Sequence, residues 1–152
     1  NIPPDTHGRI AAPDCASLTE LGTKIQQIFA SNVTEKAAIT TDSAIAQHPI
    51  TQAVDGMANT YWQAAYGQES DTITLNFPKP QKVSCVVLGE HLPTGQRIES
   101  GEIWADGSKA SEFTVVGHKR ICRFAPVEVQ TLTIKITASR TEPTLRLLEV
   151  YQ

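Results

Sequence analysis

Two hydrophobic periodicities divide the chain. Between Pro13 and Asn32, the residues Leu18, Leu21, Ile25, Ile28 and Phe29 recur at intervals of three and four. That spacing gathers them on one stripe of a helix covering roughly residues 15–31. Ser17 and Glu20 form an S-x-x-E pair expected to cap its start, and Asn32 suits a left-handed residue at its end. Gly22 weakens such a helix by about 1 kcal/mol relative to alanine, which the stripe outweighs. From Val33 onward the period falls to two. Ile73, Leu75 and Phe77 alternate with Thr72, Thr74 and Asn76, and Leu132, Ile134 and Ile136 alternate with Thr133 and Lys135. The runs SCVVLGE, GEIWAD, SEFTVVG and KRICRFAP, and a last one holding Leu145, Leu147 and Val150, also read as strands. PKPQ, PTGQ, ADGS and SRTEP separate them as turns. Short strands at this spacing predict an antiparallel β-sandwich or barrel, not alternating βαβ units. The class is mainly β, with one amphipathic α-helix in front.

Length and composition bound this picture. With 152 residues there is room for one domain and little more. Apolar residues make up 40% and charged residues 19%, which excludes a disordered chain. The net charge of −3 and the lack of a basic patch argue against a nucleic-acid partner. No apolar run approaches the ~20 residues that span a bilayer. Cys15, Cys85 and Cys122 are too few and too scattered for a disulfide framework. Cys85 and Cys122 read as small buried residues, with a bridge between neighbouring strands as the alternative. The helix stripe poses a question, because a small sandwich does not need an amphipathic helix ahead of it. Either the helix docks on the sandwich or it completes a larger body.

The segment AVDGMANTYW, residues 53–62, carries the densest candidate chemistry. Asp55-Gly56 opens a tight turn, and Asn59 and Thr60 follow within the same loop. Clustered hard oxygens suit Ca²⁺, which takes ~6–8 of them at ~2.3–2.6 Å. The spacing is not that of an EF-hand, and a turn built on Asx-type hydrogen bonds explains the same residues.

The same segment, with DTITLNF at 71–77, GEHLPTGQRI at 89–98 and LLEVY at 147–151, resembles a coagulation-factor C-type (discoidin) domain. That fold is a galactose-binding-like jelly roll and includes the family 32 carbohydrate-binding modules. The resemblance implies one structural Ca²⁺, held by the Ala53 carbonyl, Asp55, Asn59, Thr60 and Glu149. NIPPD at 1–5 and D-x-x-x-L-x-E-L-G-x-x-I at 14–25 resemble the end of the catalytic barrel in family 29 glycoside hydrolases, the α-L-fucosidases. GHKRIxRF at 117–124 resembles sandwiches attached to those enzymes. The implied organisation is a loop and helix from a barrel at 1–32 and a discoidin-like sandwich at 33–152. Retaining glycosidases need two carboxylates ~5–5.5 Å apart. The family's nucleophile is an Asp upstream of the NIPPD motif, so the resemblance implies that this segment by itself is not catalytic. It further implies a secreted or periplasmic parent enzyme.

Sugar sites combine an aromatic face with polar groups that fix hydroxyls. Trp62, Tyr66 and Trp104 are the candidate platforms, Tyr66 in the loop-like AAYGQES; a core tryptophan under the 53–60 loop is the plainer reading of Trp62, and Trp104 fits core or surface equally. His48, His91 and Arg140 lie in the loop-like stretches AQHPI, GEHLP and ASRTEP and are candidate hydroxyl partners, with solvated loop residues as the plain alternative. The expected carbohydrate-binding set is Tyr66, His48, His91, Arg140 and Trp62. Arg97 is expected to pair with Glu90 as a brace. The histidines show no zinc spacing, and nothing resembles G-x-S-x-G. The sequence thus predicts a carbohydrate-binding accessory domain for galactose- or fucose-containing glycans, alongside a parent catalytic domain. The competing expectation is a purely structural sandwich that stabilises that domain. A membrane-binding discoidin role would need apolar spikes beside basic residues, and none is visible.

Overall fold

The computed structural model describes residues 4–152; the first three residues of the NIPPD motif lie outside them. Helix α1 runs from Ala12 to Ile28. It starts earlier than the S-x-x-E pair predicted. Pro13 sits in the first turn, where its missing N–H costs nothing, and no side chain caps Ala11. Ser17 is instead one turn inside, its hydroxyl donating to the Pro13 carbonyl at 3.1 Å. The helix also ends before Asn32, with Phe29 at φ −104°, so Asn32 is no left-handed terminator. None of the helical residues is buried; Leu18, Leu21 and Ile25 are 40–53% exposed.

Short 3₁₀ turns (Thr34–Lys36, Ile50–Ala53 and Leu92–Thr94) and strands follow: β1 (Ala38–Thr41), β2 (Trp62–Gln63), β3 (Asp71–Gly89), β4 (Ile98–Ala105), β5 (Ser108–Phe113), β6 (Arg120–Ser139), β7 (Thr144–Leu145) and β8 (Leu147–Tyr151). All pairings are antiparallel. The main sheet has the order β1-β3-β6-β4-β5, with β8 also on β3, and β2 pairs with β7 separately. The two long strands are shared between layers. The first half of β3 pairs with β1, and its last five residues pair with β8. PKPQ was expected to be a turn, but it lies inside β3. There the register against β6 slips, so that residues 77–80 oppose Gln130 alone. Pro78 and Pro80 have no N–H to give the ladder, and the strand bulges through them rather than reversing. The SEFTVVG run likewise ends as a strand at Phe113. ADGS behaves as expected. Asp106 (φ 45°) and Gly107 (φ 83°) form the two-residue link between β4 and β5, the left-handed pair that matches strand twist.

The inward positions of both layers merge into one core. Ile73, Leu75, Ile103, Leu132, Ile134 and Ile136 meet Val86, Leu88, Leu148 and Val150 from the other layer. Each such side chain, fully buried, contributes about 1.5–3 kcal/mol. The other face of the second layer holds a smaller cluster of Cys85, Val87 and Tyr151, covered by Ile28, Phe29 and Leu147. Phe29 meets Tyr151 edge-on with ring centroids 5.1 Å apart. Only the C-terminal end of α1 is seated; its apolar stripe stands free. Cys85 belongs to this outer cluster and Cys122 to the main core. The two thiols project from opposite faces and are free, which removes the bridge alternative. Burial pushes the Cys85 thiol up to about 11.

Candidate functional site

Four connections meet at one end of the sandwich: the loops before and after β2, the loop from β3 to β4, and the loop from β6 to β7. A web of bonds ties them together. The Gln63 N–H donates to the His48 carbonyl at 3.2 Å, Ala64 N–H to Pro143 O at 3.1 Å, and Arg140 N–H to Arg97 O at 2.9 Å. At the centre, Tyr61 is sandwiched between His48 and His91, with centroids 3.9 Å away on each side and planes tilted by 21° and 8°. His48 Nδ1 is paired with Gln52 Oε1 at 3.1 Å, while His91 Nδ1 is buried without a protein partner. Burial lowers the His91 pKa, and the positive charges of His48, Arg146 and Arg97 push the same way.

Two carboxylates hold these loops. Glu90 is completely buried. Its Oε1 accepts the N–H groups of Arg97 (2.6 Å) and Ile98 (2.8 Å), and its Oε2 accepts that of Gly117 (2.6 Å). The brace expected between Glu90 and the Arg97 side chain is therefore a bond to the Arg97 backbone. The Arg97 guanidinium turns instead to the Glu142 carbonyl at 2.8 Å and lies 3.9 Å from its carboxylate. Glu142 also accepts the Gly67 N–H at 2.8 Å. That bond, with the Thr141 hydroxyl and Arg97, holds the Glu142 pKa down at about 2.

The candidate sugar contacts divide by exposure. Tyr66, beside Gly67, is 77% exposed. Arg140 is exposed as well, its Nε bound to Glu99 at 2.8 Å. Of the two readings of Trp62, platform and core, the structure takes the second: it is fully buried and donates its Nε1–H to the Ser43 carbonyl at 3.1 Å. Its place is in the core, and it presents no face to a ligand. Tyr61, just before β2, is half-buried between the two imidazoles, while Trp62 turns into the core. Trp104 donates to Glu102 at 2.8 Å on the outer face of β4, and Lys135 lies over its ring at 4.2 Å. It is remote from the loop cluster.

The second candidate is a cleft of about 160 Å³ lined by Ala53, Asp55, Gly56 and Glu149, and by Asn32, Thr34 and Glu35 from the linker after α1. Asp55 Oδ1 accepts the Met57 N–H at 2.8 Å, the Asx-type turn expected there, with Gly56 at φ 72°. The Thr60 hydroxyl donates to the Asp55 carboxylate at 2.7–2.9 Å. Of the expected ligand set, Ala53, Asp55 and Glu149 share the cleft and Thr60 adjoins it through Asp55, while Asn59 is outside its lining. Every polar donor in this set is a hard oxygen, and among the described residues no lysine or arginine lines the cleft. The donor chemistry suits Ca²⁺ rather than a softer metal. Among the described residues no three acidic, imidazole or thiol side chains converge on one point to hold a metal.

No family model matches the chain. It is 26% identical to α-L-fucosidase 1 of Arabidopsis thaliana over 162 residues, covering 99% of this chain and 32% of that protein. Thus the chain spans about a third of the length of the curated relatives it matches. The crystal structure of SpGH29 superposes with a TM-score of 0.89 at 26% identity, covering all of this chain and 34% of that one. The family 32 carbohydrate-binding module of NanJ from C. perfringens, solved with galactose, superposes with a TM-score of 0.70 at 20% identity, covering 80% of this chain and 98% of the module. By sequence and fold, the chain is related over its length to the C-terminal part of the family 29 α-L-fucosidases, with a β-sandwich like that of the family 32 modules.

Proposed function

We propose that the chain is a non-catalytic, carbohydrate-binding accessory region of a secreted α-L-fucosidase, stiffened by one structural Ca²⁺. The observation that carries the reading is the loop cluster at one end of the sandwich. It joins the stacked His48, Tyr61 and His91 to the exposed Tyr66 and Arg140. Rings for stacking and fixed polar groups for hydroxyls are what a sugar site needs. The relative solved with galactose, and the fucosidases themselves, make galactosides and fucosides the first ligands to test. In the cleft, Asp55, Glu149 and the Ala53 carbonyl would hold the calcium, which supplies a charge clamp between the 53–60 loop and β8. Residues 1–32 are assigned to the end of a catalytic barrel, which accounts for the free stripe of α1.

Calorimetric titration of the chain with galactosides, fucosides and N-acetylhexosamines tests the sugar site. One stacked ring and a few hydrogen bonds, at about 0.5–1.5 kcal/mol each, give a dissociation constant on the order of 0.1–1 mM. Tyr66→Ala and Arg140→Ala are each expected to weaken it severalfold. No heat with any of these sugars at millimolar concentration favours the second reading, a structural sandwich that docks on the catalytic body. The exposed Leu18, Leu21 and Ile25 favour that docking.

A further inference from the structure

The step from β7 to β8 is a single residue, Arg146. Before it, β7 pairs with β2, with Leu145 opposite Trp62. After it, β8 pairs with the end of β3, with Leu147 opposite Gly89. Tyr61 immediately precedes Trp62, and His91 lies two residues beyond Gly89. The chain thus places Arg146 between the two segments that carry the His48–Tyr61–His91 stack. Its backbone N–H donates to the Gly89 carbonyl at 2.9 Å, which fixes it there. Its Nη2 donates to the His118 carbonyl at 3.2 Å and lies 3.4 Å from His118 Nδ1. Among the described residues the guanidinium bonds through Nη2 alone, so most of its donors remain free.

The charges around it are unevenly matched. Arg97 faces Glu142, and Arg140 is bound to Glu99. Arg146 and the exposed Lys119, next to His118, lie in no ion pair among the described residues. The nearby acids are engaged: Glu90 is buried against three N–H groups, and Glu142 accepts the Gly67 N–H. The charges that bear on His91, those of His48, Arg146 and Arg97, are all positive. In a chain of net charge −3, this end therefore holds cations that the protein itself leaves unmatched. A guanidinium fork fits the paired oxygens of a carboxylate or a sulfate, whereas a neutral hydroxyl leaves its charge unmet. We propose that the loop end prefers acidic glycans: a sugar bearing a carboxylate or a sulfate ester, its anionic group held by Arg146 and its ring lying against the loops that carry Tyr66 and Arg140. The preference rests on the carbohydrate-binding reading above and names the ligand class of that site.

The test is calorimetric titration of the 152-residue chain with matched sugars: galactose, galacturonic acid and a galactose sulfate ester, with inorganic sulfate alone beside them. In ~50 mM NaCl at least one acidic sugar is expected to bind about 3- to 10-fold tighter than galactose, and whichever does so identifies the anion. In ~500 mM NaCl screening should bring that advantage to within about twofold. Arg146→Gln should remove the advantage, Arg146→Lys, which keeps the charge and loses the fork, should retain part of it, and Lys24→Gln, a charge lost on α1, should leave it intact. Equal affinity for neutral and acidic sugars overturns the preference and leaves the carbohydrate reading standing. No heat with any sugar overturns both. Inorganic sulfate binding as tightly as the sulfated sugar overturns the preference in favour of a simple anion site. An advantage that ignores salt, or that survives Arg146→Gln, overturns the role of Arg146; the salt series on the native chain decides even where a variant does not fold.

Discussion

Glu142 shows how one carboxylate joins three loops. It accepts the Gly67 N–H, and the Arg97 guanidinium bonds its backbone carbonyl. Its pKa falls from the ordinary 4.5 to about 2 because the Gly67 N–H, the Thr141 hydroxyl and Arg97 all favour the ionised form. The sign follows from linkage. A depressed folded-state pKa gives stability that is present above pH 4.5 and is lost as pH falls towards 2. In urea unfolding, the native chain should lose midpoint between pH 4.5 and pH 2, and Glu142→Gln should show a smaller loss across that window. An identical acid dependence in the variant would mean that other carboxylates dominate. His91 adds an acid sensitivity of the same sign, beginning as pH falls below the ordinary histidine value of 6.5, since burial favours its neutral form.

At the scale of elements, the packing of β4 between its sheet neighbours β6 and β5 depends on one glycine. A Cβ on Gly101 would lie 2.2 Å from Phe113 Cζ and 2.6 Å from the Lys135 carbonyl oxygen. The ring of Phe113, at the end of β5, fills the space that a side chain would need. Gly101→Ala must displace that ring or part β4 from β6, at a cost of about 1–3 kcal/mol. A melting temperature lowered by several degrees is expected, whereas Gly67→Ala, in open space, meets only backbone strain at φ 80°. Equal melting of the Gly101 variant and the native chain would show that β5 yields without loss.

For the molecule as a whole, α1 is bimodal. Its last turn is docked through Ile28 and Phe29, while Leu18, Leu21 and Ile25 touch no core. Phe29→Ala should lower stability by about 1–3 kcal/mol, because a partly buried ring is lost against Tyr151. Leu21→Ala should stay within about 0.5 kcal/mol, as an exposed substitution does. Chemical denaturation of both variants checks this. A Leu21 cost as large as that of Phe29 would mean that the stripe is covered in solution.

Much of this architecture was legible from periodicity. Alternation at 71–77 and 131–136 marked core strands, and the three-and-four spacing of Leu18 to Phe29 marked the helix, because backbone geometry sets those periods locally. The tight turns at Asp55-Gly56 and Asp106-Gly107 were equally local. What only the tertiary structure decided involves partners far apart in sequence. Pro78 and Pro80 read as a turn, yet flanking pairs with β6 carry β3 straight through them. Trp62 read as either a platform or a core residue, and only the closed loops send it into the core and stack its neighbour Tyr61 between His48 and His91. Glu90 read as the partner of a guanidinium, and burial gave it three backbone N–H groups instead. The sequence by itself determined which residues could lie on a common face. Which faces met, and hence which polar groups had to find partners away from water, was decided only when the two layers closed.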